Sequence, residues 1–124
     1  IDHGVRCLED AELTARLARE QVALTVCPLS NIKLRVFDTM DDHNLLRLLD
    51  AGLAVTINSD DPAYFGGYVN DNFLSTFDSL PLGVEHARTL ARNSFSAAFL
   101  EGEAKRGYLN EVDRFFQQST ASKD

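Results

Sequence analysis

Basic residues are scarce in this chain. Twelve lysines and arginines stand against 19 aspartates and glutamates, a formal net charge of −7. Nucleic-acid backbones and anionic membrane surfaces call for basic patches, so we expect no nucleic acid and no membrane as partner. A small polar ligand or a divalent cation is left open. Cysteine is scarce too, with only Cys7 and Cys27. They form no framework pattern, which fits a reducing compartment and leads us to expect a cytoplasmic protein. No apolar stretch reaches the ~20 residues that cross a bilayer, and nothing reads as a signal peptide. Repeats of consequence, low-complexity segments and linkers are also lacking. So is an initiator methionine: the chain opens Ile1-Asp2-His3-Gly4, like a strand cut open. We expect the natural polypeptide to continue upstream.

What is there reads as alternating strands and helices. Asp10 to Gln21 carries Leu13 and Leu17 four residues apart among small and charged residues, which predicts a helix. Val22 to Cys27 is almost continuously apolar, as in a strand buried on both faces. Cys27, at its end, reads as a buried thiol. Residues 28–39 read as a long connection with turn chemistry at Ser30-Asn31. Asp41 or Asp42 is expected to cap a helix carrying Leu45, Leu46, Leu48 and Leu49, with Gly52 at its end. Leu53 to Asn58 reads as a second buried strand.

Three helical regions follow. The first spans Asn70 to Leu80 with Phe73 and Phe77 on one face. The second spans Val84 to Leu100, with Leu90, Phe95 and Phe99 apolar and an interruption expected near Asn93-Ser94. The third spans Glu101 to Gln118, with Leu109, Val112, Phe115 and Phe116 inward. Residues 119–124 read as a frayed tail. A strand remnant followed by helix, strand, helix and strand implies parallel pairing and an α/β fold. A closed (β/α)8 barrel typically takes ~250 residues, so 1–118 would supply the last three strand ends of one, an incomplete domain.

Functional groups of such folds gather at the C-terminal ends of the strands. Three sequences meet that rule here: His3-Gly4, Pro28-Leu29-Ser30-Asn31 and Ser59-Asp60-Asp61-Pro62. Each has a plain structural reading. Ser30-Asn31 is ordinary turn chemistry, to which we assign a structural role. Asp-Asp-Pro suits a turn or a helix cap. His43 and His86 fall in expected helices and read as surface residues. Together the three ends say more. A strand-end aspartate is a hard oxygen ligand suited to zinc beside histidines. A second aspartate, one residue on, points elsewhere and can hydrogen-bond a ligand. A histidine from a neighbouring strand end can orient a water or carry its proton.

The segments IDHG (1–4), VCPLSNIKL (26–34), NSDDPAYFGGY (58–68) and LARNSF (90–95), in this order, resemble the C-terminal part of the adenosine and adenine deaminase family. That family belongs to the metal-dependent amidohydrolase barrels, and the resemblance runs from Ile1 to about Phe116. It implies a zinc cofactor. By the resemblance, His3 is the catalytic histidine that positions the attacking water and assists its deprotonation. Asp60 is a zinc ligand at the end of the last strand. Asp61 hydrogen-bonds a purine ring nitrogen of the substrate. The implied reaction is hydrolytic deamination of adenine to hypoxanthine and ammonia.

VCPLSN and AYFGGY look more like microbial and fungal adenine deaminases than animal adenosine deaminases. Adenosine or another adenine-containing compound stays as the alternative substrate, and a non-catalytic purine-binding member as the alternative function. The family's H-x-H pair, its third zinc histidine and its ring-protonating glutamate are not among these residues; the resemblance places them before Ile1. One zinc ligand of four is present, so these residues alone are expected to be inactive. The H-x-E and P-C-x-x-C signature of the other zinc deaminases is absent. Unpaired strand edges and apolar helix faces lead us to expect aggregation, homo-oligomers or a need for the rest of the barrel.

Overall fold

A computed structural model describes residues 1–121. Its centre is a small parallel sheet. β1 (Leu24–Val26) pairs with β2 (Val55–Ile57) in the register Leu24 to Val55, Thr25 to Thr56 and Val26 to Ile57. The opening residues add a third, fragmentary strand. Asp2 bridges Thr25 in parallel, with Thr25 N–H donating to Ile1 O and His3 N–H donating to Thr25 O, each at 3.0 Å. Leu24, Val26 and Val55 are fully buried and Ile57 nearly so, as the apolar runs predict.

α1 (Ala11–Glu20) lies between the stub and β1. Asp10 caps it by accepting from Leu13 N–H at 2.9 Å, so the expected boundary holds. α2 (Pro28–Lys33) departs from expectation. The stretch read as a connection begins with a helix, because Pro28 at the first helical position has no N–H to lose and its fixed φ suits the turn. α3 (Leu45–Asp50) follows a short 3-10 turn at Met40–Asp42 and buries Leu45 and Leu48 completely. Neither Asp41 nor Asp42 caps it. Asp42 accepts from the Thr39 hydroxyl instead, and Leu45 N–H donates to His43 Nδ1 at 3.1 Å. Gly52, just past α3, has φ 78°, the conformation for which glycine is suited there.

After β2 come α4 (Pro62–Phe65), α5 (Val69–Ser79), α6 (Val84–Ala97) and α7 (Gly102–Ala121). Phe73 and Phe77 stack on α5 with centroids 6.2 Å apart. α6 runs without the interruption expected at Asn93-Ser94. Asn93 Nδ2 reaches the Val55 carbonyl at 2.8 Å, tying α6 to β2, while Leu90 is fully buried. α7 is held on α6 by the stack of Phe95 on Tyr108 and by Asp113, which accepts from both Arg88 and Arg92. Phe115, expected inward, is exposed, and so is Phe99. α6 ends at Ala97, so Phe99 falls in the link beyond it, and Phe115 lies off the packed face of α7. Residues 119–121, read as tail, continue α7; 122–124 lie outside the described residues.

The sheet has no closing partners among the described residues. Beside the stub an apolar cleft of about 460 Å³ opens between Ile1, Leu13, Leu17, Leu24 and Val36. Three parallel strands, each followed by helix, with open apolar flanks, make up the C-terminal part of a (β/α)8 barrel. No helix among the described residues is long and apolar enough to cross a membrane.

Candidate active site

The chain turns back sharply at two strand ends. His3 has φ 54° and Asp60 has φ 59°, both in the left-handed region. Non-glycine residues seldom sit there; His and Asp do so more readily than most, and such conformations cluster at functional sites. Gly4 follows His3 with φ 75°, and a Cβ at that position would lie 2.7 Å from Leu24 Cδ2. The His-Gly pair thus has a physical basis. Glycine alone lets the chain pass over the buried Leu24 and hold the imidazole at the rim.

These turns bring His3 and Asp60 together, 57 positions apart in the chain, with Nε2 3.6 Å from Asp60 Oδ2. Between them lies the start of α2. Ser30 is fully buried, and its hydroxyl donates to Asp60 Oδ2 at 2.7 Å. Asp60 Oδ1 takes no hydrogen bond from the described residues. Cys27 lies beneath, and one donor atom from each of His3, Cys27 and Asp60 falls within a 4.8 Å group. Cys27 is a thiol in this setting. Its Sγ–H donates to Thr25 O at 3.3 Å, and burial, with the Asp60 charge second, pushes its pKa up to about 11.

Asp61 serves a different purpose. It caps α4, accepting from Ala63 N–H at 3.0 Å and Tyr64 N–H at 3.2 Å through Oδ1. Its Oδ2 takes no hydrogen bond from the described residues, and the residue is exposed. The helix-cap reading of Asp-Asp-Pro is therefore correct for one oxygen of one aspartate, and leaves the other oxygen available to a ligand.

The structure corrects two further expectations. Ser30 and Asn31 are not turn residues of purely structural use, since both bond to the site. Asn31 Nδ2 lies 3.5 Å from His3 Nδ1. His43 is not a surface residue. It is 4% exposed, packs against Phe37 and lies with Nε2 3.0 Å from Asn31 Oδ1. Burial lowers its pKa from 6.5 to about 4. His86 is half-buried and closes the start of α6 by accepting from Gly83 N–H. The available signal for Ser30 and Asn31 was Pro28 as a first helical residue after a buried strand, which places them on the same rim as the other strand ends.

The cluster offers one imidazole and one carboxylate with a free oxygen, while its third member, Cys27, is a neutral thiol. Nitrogen and oxygen donors of this kind suit a borderline cation such as zinc. A buried serine fixes the far oxygen of the carboxylate, the usual arrangement for an oriented ligand.

Comparison with known proteins places the chain in a family. The family model described as adenosine deaminase matches residues 1–115. An adenine deaminase of Hahella chejuensis is 62% identical over 117 residues, covering 94% of this chain and 35% of that protein. One from Trichlorobacter lovleyi is 60% identical over 119 residues, covering 95% of this chain and 34% of that protein. The chain thus spans about a third of the length of the curated relatives it matches. Among solved structures, the adenine deaminase from Arthrobacter aurescens superimposes with a TM-score of 0.91 at 50% identity, over 94% of this chain and 36% of that one. An amidohydrolase from Burkholderia ambifaria with bound Zn shares the fold, with a TM-score of 0.86 at 22% identity over 99% of this chain and 35% of that one. With its strand ends and its length accounted for in this way, the chain belongs to the adenosine deaminase family.

Proposed function

We propose that this chain supplies the C-terminal third of the active site of a zinc-dependent adenine deaminase acting in purine salvage in the cytoplasm. One observation carries the reading: His3 and Asp60 meet at 3.6 Å across the end of β1, which lies between their strands, in a chain 62% identical to a curated adenine deaminase. In the reaction, a water oxygen bonds to the ring carbon bearing the exocyclic amine. The carbon–nitrogen bond breaks, and adenine and water become hypoxanthine and ammonia.

Zinc, when bound, supplies Lewis-acid activation and brings the pKa of a water to about 7. Asp60 would hold it through the free Oδ1, with Ser30 keeping Oδ2 in place. His3 orients the attacking water from the rim. Asp61 offers Oδ2 to a ring nitrogen of the purine while Oδ1 stays on α4. Cys27 remains a neutral thiol behind Asp60.

The test uses a complete barrel, with these residues joined to the first two thirds of the Hahella chejuensis relative. Ammonia release is followed with adenine and adenosine side by side. Turnover of adenine with little of adenosine is expected. Preference for adenosine, the substrate in the matching family model's description, would keep the reaction and overturn the substrate. No turnover of either, in a barrel that binds zinc, would replace the enzyme by a purine-binding protein. Asp60→Ala should lose both zinc and turnover, and a variant that keeps both refutes the ligand assignment.

A further inference from the structure

We propose that Asn31 and His43 form a buried relay that positions His3 and decides which of its ring nitrogens carries the proton. Their place in the reaction rests on the function proposed above; the relay itself is read from hydrogen bonds alone.

The deduction starts from a backbone group, whose direction is unambiguous. Leu45 N–H donates to His43 Nδ1 at 3.1 Å. That nitrogen therefore bears no proton, and His43 is neutral with its single hydrogen on Nε2. Nε2 lies 3.0 Å from Asn31 at 4% and 2% exposure of the two residues, so the Asn31 atom facing it must be the carbonyl oxygen. The amide nitrogen of Asn31 is then turned the other way, toward His3 Nδ1 at 3.5 Å. An amide nitrogen only donates, so His3 Nδ1 accepts. The neutral His3 ring must carry its hydrogen on Nε2, the atom facing Asp60 Oδ2.

The parts of the relay are held from several sides. Asn31 N–H donates to Cys27 O and Asn31 O accepts from Val36 N–H, both at 2.9 Å, which pins its backbone in α2. Phe37 lies against the His43 ring with centroids 4.5 Å apart. The direction of hydrogen bonding is thus set at the first turn of α3 and passed through two buried side chains to the rim. Its consequence for the proposed reaction is definite. Asn31 holds the His3 ring by Nδ1 and leaves Nε2 turned to the site, where it faces Asp60 and the attacking water of the proposed reaction. Asn31 and His43 act through His3 and are positioning residues.

The complete zinc-loaded barrel described above tests this, with its histidines labelled with nitrogen-15. Without substrate, above pH 8, His3 should show a protonated Nε2 and a bare Nδ1; the opposite tautomer overturns the relay. Asn31→Asp still accepts from His43 but offers His3 Nδ1 a carboxylate, so the His3 hydrogen should move to Nδ1; an unmoved tautomer also overturns it. In turnover, His43→Leu should lower kcat by about 10- to 100-fold, the usual cost of losing an outer partner, with KM and bound zinc unchanged. His43→Gln, which keeps a donor toward Asn31, should recover most of that loss. Equal losses in the two variants would assign His43 to packing alone. If the barrel has no deaminase activity, the functional reading fails while the tautomer of His3 still decides the relay.

Discussion

His43 should make this fold acid-sensitive in a narrow pH window. The imidazole is buried, its Nδ1 is occupied by the Leu45 N–H, and burial takes its pKa from 6.5 to about 4. Above pH 6.5 the ring is neutral in folded and unfolded chains, and the full stability is present. Between 6.5 and about 4 the unfolded chain binds a proton that the folded chain refuses, so stability falls as pH falls. Below about 4 both states are protonated and the loss stops. At about 1.4 kcal/mol per pH unit, the whole effect is about 3 kcal/mol, of which about 2 kcal/mol is gone by pH 5. That is a large fraction of a typical margin of 5–15 kcal/mol.

Stability of the complete barrel depends on pH through more than one group, so the measurement must be differential. Urea unfolding of the complete barrel would be compared between wild type and His43→Gln at pH 7, 6 and 5. Glutamine keeps a donor toward Asn31 and does not titrate. Wild type should lose about 2 kcal/mol relative to the variant between pH 7 and 5. A difference that stays constant over that span refutes the reasoning. So would a His43 ring resonance titrating near 6.5 in the folded protein.

Asp61 can be divided by chemistry. Asp61→Asn keeps a capping oxygen for Ala63 and Tyr64 but loses the carboxylate charge, so KM for adenine should rise with thermal stability unchanged. Asp61→Ala should raise KM as much and also cost about 1 kcal/mol for the lost cap. Equal KM values in wild type and both variants would leave Asp61 a cap alone. Ser30→Ala removes the donor to Asp60 Oδ2 and should weaken zinc binding about 10- to 100-fold in a chelator competition, leaving the fold intact. Unchanged affinity would mean that Asp60 is oriented without Ser30.

The sequence by itself determined the order of elements and the rim. Val22 to Cys27 and Leu53 to Asn58 are apolar enough to specify buried parallel strands. Asp10, Gly52 and Asp61 mark helix boundaries through local chemistry that reaches only two or three residues along the chain. Those signals already place His3 and Asp60 at strand ends on one rim of the sheet. What only the tertiary structure decided is which polar groups find one another from far apart in the chain. Ser30 meets Asp60 over 30 positions and Asn31 meets His3 over 28. His43 reads as a helix-surface residue because its burial comes from packing between Asn31 and Phe37, after α2 and α3 have closed on the sheet. Phe115 errs in the opposite sense, since hydrophobic period says which face of a helix is apolar and not whether a neighbour covers it. A local pattern specifies local geometry. The partners of a buried polar side chain are set by how the elements dock, because desolvation penalises every docking that leaves such a group unpaired.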